Sequence, residues 1–348
     1  MKTYILGAGA SYGYNESLPK ELRPPLTEEF FSKGARLGIF SKQDFPDLFI
    51  TLKKYLKETK KISSFSLLEL KCDIEEFLQW LADGFSKIKL QEDNDFRQKQ
   101  QFQCALSQSF YFIYQLLRYY MLSCTPRFDS YRRLALHYND CKHGVITLNY
   151  DTLFELALRS VNLNFHYFQG PHYPRSVSLA KIHGSINWIN PCRGGIAYGG
   201  TKNNIFRTVT CSIFSNKFWL GPMMVLPLDA IKEISYKDFV RSGLDYDEPA
   251  LIPPLANYKD YEKVERYKEV WRFAESMLKE AVELVIIGCS IRKDDIKFRD
   301  LIKGSLKGNV PITIVSPNHK KVSDELKKLK KTNFKRPFES FEEYARNL

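Results

Sequence analysis

Five short segments hold the residue types that can do chemistry: Gly7-Ala8-Gly9-Ala10-Ser11, Thr147-Leu148-Asn149-Tyr150-Asp151, Lys181-Ile182-His183-Gly184-Ser185, Ile286-Ile287-Gly288-Cys289-Ser290 and Val315-Ser316-Pro317-Asn318. In the first, the glycines let backbone approach a phosphate group closely while N–H groups at a helix start face the anion. Close packing of strand on helix is the other use of glycine there, and the full GxGxxG spacing is not met, because Tyr12 stands at its sixth position. Asn149 and Asp151 either aim an amide and a carboxylate at one crevice, or form a bend in which Asp151 caps the helix running from Thr152 to Arg159. His183 suits a general base working near neutral pH, or a structural hydrogen-bonder. Gly288, Ser290 and Asn318 offer ribose and phosphate contacts, or plain turns. Ser185 lacks the GxSxG surroundings of a hydrolase nucleophile, and no GxxxxGK[ST] loop occurs, which argues against ATP hydrolysis.

The elements that must position these residues are legible as periodicity. Short apolar runs at Tyr4–Leu6, Val145–Leu148, Leu284–Ile287 and Ile312–Val315 predict buried parallel strands, each ending where a chemical segment begins. Apolar residues spaced by three or four predict helices through Leu67–Leu81, Phe102–Tyr120 and Tyr261–Ala281. Strands alternating with helices define an α/β class with a Rossmann-like, doubly wound parallel sheet. The distance from the first strand to Val145 exceeds what one crossover helix needs, so 41–140 is expected to be a helical insertion, of a kind that can cover a site. A second insertion, 191–254, rich in Gly, Pro and aromatic residues, is expected to be a loop or small β-rich piece. The expected sheet domain is then 1–40 with 141–190 and 255–348.

The chain has 348 residues, 44% hydrophobic and 26% charged, which excludes a disordered, collagenous or disulfide-stapled protein. No apolar run is long enough for a membrane helix, so no membrane partner is expected. The N-terminus begins like a signal peptide but turns at once to glycines and polar residues, and is read as mature, cytoplasmic sequence. Seven cysteines form no CxxC pair, so reduced thiols are expected, with no zinc ribbon and no metal site; Cys141-Lys-His143 lacks a second ligand pair. Lys plus Arg exceeds Asp plus Glu by 52 to 40, and residues 291–336 hold 14 basic against 5 acidic side chains. That cluster is either a nucleic-acid contact or the solvated face of a helix with Val322, Leu326 and Leu329 inward.

Taken in this order, the five segments resemble the sirtuin-like superfamily, and especially the bacterial sirtuin-like proteins that degrade NAD in antiviral defence. GAGAS, TLNYD, KIHGS, IIGCS followed by Asp295, and VSPN carry the likeness, with Asp73-Ile74-Glu75-Glu76-Phe77 and Leu251-Ile252-Pro253-Pro254 also similar to that branch. The resemblance implies that Gly7, Ala8, Gly9 and Ser11 cradle the NAD pyrophosphate, with Gly288, Ser290 and Asn318 around the adenosine half. A valine at Gly9 would then fill the space the pyrophosphate needs. It implies catalytic roles for Asn149 and His183 beside the nicotinamide ribose, and contact of Asp151 with the nicotinamide side. Three departures stand out: Leu148 replaces the sirtuin glutamine, Ser316 replaces the adenosine-loop asparagine, and a zinc ribbon has no cysteine pairs to build it. They count against protein deacetylation and for water as acceptor. The implied activity is an NAD⁺ glycohydrolase with NAD as substrate and no metal, an abortive-infection effector held inactive until triggered. The implied partners are further copies of the chain and a defence protein such as a DNA-translocating ATPase. A non-hydrolytic NAD or ADP-ribose sensor is the alternative, as is an ADP-ribosyltransferase whose basic C-terminal region recruits the acceptor.

Overall fold

The computed structural model describes residues 1–88, 93–123, 129–138, 143–168, 176–193, 218–219, 223–234, 245–251 and 265–348. The chain divides into two compact units, one of Met1–Leu26, Tyr120–Ser185 and Asp260–Leu348, the other of Thr27–Tyr119 and Ile186–Lys259.

The first unit is built on a six-stranded sheet of β1 (Lys2–Leu6), β2 (His143–Thr147), β3 (Asn164–His166), β4 (Ser176–Lys181), β9 (Glu283–Ile287) and β10 (Ile312–Val315), in the order β10-β9-β1-β2-β4-β3. Every pairing is parallel. Each of the four predicted runs forms such a strand, and their near-continuous burial explains why they read as unbroken apolar runs rather than alternating ones. The order confirms the doubly wound α/β class: the chain moves from β1 toward β2 and β4, then returns to the far side of β1 for β9 and β10. The reversal lies between β1 and β9, the place in open parallel sheets where ligands bind.

Helices in this unit include α1 (Ala8–Tyr12), α6 (Asp129–His137), α7 (Leu153–Ser160), α9 (Glu265–Lys279), α10 (Ile296–Ser305), α11 (His319–Lys328) and α12 (Phe341–Arg346). In α11, Val322 and Leu326 are buried and basic residues occupy the last turn, where they complement the helix dipole.

The second unit carries α2 (Phe30–Arg36), α3 (Pro46–Glu58), α4 (Ile74–Lys87), most of α5 (Asp93–Ser123) and the short α8 (Ala230–Glu233). Its core is aromatic: the Phe31 ring stacks on Phe112 at 5.6 Å, and Phe40, Phe45 and Phe77 close around them. The helix predicted through Leu67–Leu81 starts at Ile74, because the Asp73 carboxylate accepts from the backbone N–H of Glu75 and Glu76 and sets an N-cap; Leu67–Glu69 is a separate 3₁₀ turn. A second sheet pairs β5 (Gly184–Arg193) antiparallel with β6 (Phe218–Trp219) and β7 (Met224–Val225), and β8 (Asp245–Leu251) also pairs β5. Much of 191–254, including Gly194-Gly195, Gly199-Gly200 and the stretch 252–254, lies outside the described residues.

The expectation of reduced thiols throughout does not hold. Cys104 in α5 is disulfide-bonded, whereas Cys72 and Cys289 carry thiols. Spacing along the chain carries no information on which thiols folding brings together. Among the described residues no helix is long and apolar enough to cross a membrane.

Candidate functional site

Register assembles the site. Val315, Ile287, Leu6, Thr147 and Lys181, the last residues of five neighbouring strands, lie side by side across the sheet. The ladder runs one step further through Gly288 N–H to Val315 O (2.9 Å), Gly7 N–H to Ile287 O (3.0 Å), Leu148 N–H to Leu6 O (2.9 Å) and Ile182 N–H to Thr147 O (3.2 Å). All five chemical segments therefore leave the sheet at one edge, its C-terminal edge, although up to 311 residues separate them in the chain.

At the reversal point the glycines interlock. Gly288 has φ +57°, a left-handed conformation that glycine adopts without penalty. A Cβ there would meet Ala10 N at 2.1 Å, one on Gly9 would meet Gly288 Cα at 2.8 Å, and one on Gly7 would meet Cys289 Cα at 2.5 Å. The N–H groups of Gly7, Gly9 and Ala10 are spent on Ile287 O, Gly288 O and Gly7 O. The requirement for glycine is thus first a matter of backbone packing, and three of the loop's N–H groups are already committed inside the protein. Gly9→Val would drive a side chain into the Gly288 backbone and disturb the fold, which corrects the expectation that it would act on ligand space alone.

Asn149 ties that loop to β2. Its Nδ2 donates to Gly7 O (2.9 Å) and to Ser11 Oγ (3.0 Å), and its own N–H donates to Thr147 Oγ1 (3.1 Å). The Ser11 hydroxyl also meets the Tyr131 hydroxyl at 3.0 Å. Tyr131, on α6, is fully buried; burial first, then the nearby Asp151 charge, pushes its phenol well above the usual range. Ser11, Tyr131 and Asn149 so form a buried polar chain beside the glycine loop. Nothing in the spacing of Tyr131 singles it out in the sequence.

Asp151 does what a capping residue does: its Oδ1 accepts from Leu153 N–H (3.0 Å) at the start of α7. One turn on, Glu155 is buried and paired with Lys181 at 2.8 Å; Lys181 Nζ also donates to Asp151 O, and Tyr167 donates to Glu155 Oε1 (3.2 Å). Burial raises the Glu155 carboxyl pKa against the opposing pull of the ammonium. This pair welds the end of β4 to the first turn of α7, and so holds the Asp151 and His183 segments in register.

His183 is 2% exposed, and its Nδ1 has no hydrogen-bond partner. Its Nε2 stands 3.2 Å from Asp295 Oδ2, at charge-pair distance but not in hydrogen-bond alignment. Gly184, with φ +83°, then turns the chain away into β5. Ser290 and Asn318 lie exposed along the same edge, and the Asn318 N–H donates to Ser316 Oγ at 3.1 Å. Among the described residues no group of His, Cys, Asp and Glu could hold a metal ion.

In the basic C-terminal region Lys327 pairs with Asp324, Lys328 and Arg299 pair with Glu325, and Lys335 pairs with Glu283. Lys331 is buried, its ammonium donating to Lys303 O and Leu306 O. Much of this charge therefore serves the fold.

No protein-family model matches the chain, and no curated protein matches it. The chain is similar to solved structures described as the structural basis of sirtuin substrate affinity (13% identity, TM-score 0.40, 100% of this chain and 92% of that one) and as a complex of a Sir2 homologue with NAD (12%, 0.40, 99% and 86%). A third is described as the structural basis for the mechanism and regulation of Sir2 enzymes (11%, 0.38, 99% and 88%). With identities and superpositions this low, the chemistry of the edge rests on the chain's own residues.

Proposed function

We propose that the protein is an NAD⁺ glycohydrolase, with the crevice along the C-terminal edge of the parallel sheet as its site. The observation that carries this reading is that one sheet edge holds both Asn149, fixed by three hydrogen bonds, and a buried His183 whose ring nitrogens have no hydrogen-bond partner. An unpaired buried polar atom costs roughly 1–3 kcal/mol, which a ligand that bonds to it would recover. The motif order set out above points to NAD as that ligand. Exposed Ser290 and Asn318 and the polar groups of the glycine loop that remain uncommitted would receive its phosphate and adenosine parts.

The chemistry asks little of the protein. Nicotinamide leaves the ribose carbon with the bonding electron pair, which neutralises its ring; water forms the new bond to that carbon, and its proton goes to His183. Asn149 holds the reacting ribose in place, and the committed backbone around it keeps that geometry without reorganisation. The products are nicotinamide, ADP-ribose and a proton. On the strength of the motif resemblance we further propose that the protein works as a triggered effector in defence.

Incubation with NAD⁺ labelled in its phosphates separates the readings. Label recovered as free ADP-ribose supports the hydrolase; label fixed to protein or nucleic acid makes the chain a transferase, and label retained as bound, intact NAD makes it a sensor.

A further inference from the structure

We propose that Asp295 is a positioning residue that fixes His183 as the Nε2–H tautomer, leaving Nδ1 as the nitrogen that takes a proton. The inference rests on the assignment of His183 as base and deepens it. Asp295 is held at both ends. Its Oδ1 caps α10 by accepting from the N–H of the fully buried Phe298 (3.2 Å), and its backbone carbonyl accepts from Arg299 N–H (3.1 Å). With one oxygen committed, the carboxylate plane is set, and Oδ2 is the oxygen that faces His183 Nε2 at 3.2 Å. Both side chains are almost entirely buried, at 3% and 6% exposure.

An ionised carboxylate only accepts hydrogen bonds, so the ring nitrogen facing it is the one that carries the hydrogen. The lone pair then sits on Nδ1, which has no hydrogen-bond partner. At 3.2 Å the two atoms are within hydrogen-bond reach, and catalytic contacts commonly complete their alignment only with substrate bound. When Nδ1 takes a proton, the resulting imidazolium lies against the Asp295 carboxylate.

Two variants keep the cap and change the second oxygen. Asp295→Asn retains an accepting oxygen for Phe298 N–H and offers His183 an amide in place of the carboxylate oxygen; Asp295→Ser retains the cap and offers His183 nothing. In the full-length chain labelled with ¹⁵N-histidine, His183→Gln identifies the His183 signals. The wild-type ring is expected to be protonated on Nε2, and Asp295→Asn is expected to move that proton to Nδ1, interchanging the two nitrogen shifts. In NAD⁺ turnover both variants should lose about 10²-fold in kcat with KM changed by less than about threefold, as befits a group acting through the base. A wild-type ring protonated on Nδ1, a tautomer unchanged by Asp295→Asn, or wild-type kcat in both variants overturns the proposal. Should the chain release no nicotinamide at all, the tautomer result alone decides the role of Asp295, separately from the proposed activity.

Discussion

Substituting Gly288 by alanine tests whether the glycine loop is an interlock of backbone before it is anything else. The new Cβ would sit 2.1 Å from Ala10 N and 2.2 Å from Gly9 C, both backbone atoms that no side-chain rotation can move away. The φ of +57° adds about 1–2 kcal/mol for any residue with a Cβ. Forcing the β1–α1 loop back stretches the 2.8 Å bond from Gly9 N–H to Gly288 O, worth about 1 kcal/mol, and overpacking adds about 1–3 kcal/mol. A loss of about 3–6 kcal/mol follows, which in urea is a fall of roughly 1–3 M in midpoint at a slope of about 2–3 kcal/mol per molar. The assay is urea unfolding followed by far-ultraviolet circular dichroism, with Gly308→Ala, where a Cβ meets nothing within 4 Å, as the control. That control should stay within about 0.5 kcal/mol of wild type. A Gly288→Ala midpoint no lower than the control's would refute the interlock and return the loop to a purely ligand-facing role.

Lys181→Met should destabilise the first unit by about 3–5 kcal/mol by leaving Glu155 buried without its cation, and Lys181→Met with Glu155→Leu should recover most of that; additive losses in the double-variant cycle would deny the coupling. Burial, helped by neighbouring His137 and Lys2, lowers the His143 pKa from 6.5 to about 4, so the unfolded chain binds a proton that the native chain refuses. Stability should therefore fall by about 1–2 kcal/mol as pH drops from 6.5 to 4, the shift being discounted for a ring that solvent partly screens, and be unaffected by this group at higher pH. His143→Leu should flatten that slope in urea titrations across the same range, and an unchanged slope would show that other groups govern it.

The sheet was readable because strands buried on both faces leave unbroken apolar runs, and Tyr4–Leu6 and Leu284–Ile287 show no other pattern. Most of the shared edge was readable too, since four of the five chemical segments directly follow such a run, while the Lys181–Ser185 segment follows β4, which was not among the predicted runs. What could not be read is whatever depends on contacts across the chain. The side chain of Tyr131 reaches Ser11 over 120 positions, and Asp295 faces His183 although each lies in a segment with its own local explanation, one a helix cap and the other a strand end. Gly288 was legible as a glycine but not as a left-handed residue against Gly9 and Ala10, because sequence shows conformational permission and not the neighbour that makes use of it. The start of α4 at Ile74 was masked for a simpler reason: apolar spacing continues through Leu67 and Leu70, and only the Asp73 cap interrupts it.

The central claim is tested most directly by nicotinamide release from NAD⁺ by the purified chain over a range of protein concentrations, with His183→Gln, checked for native circular dichroism, alongside. Nicotinamide and ADP-ribose appearing in equal amounts, and falling by at least about 10²-fold in the variant, is the result expected of a base at this position. NAD⁺ recovered intact at every concentration while calorimetry shows it bound would contradict the hydrolase and make the edge of the sheet a sensor's binding site.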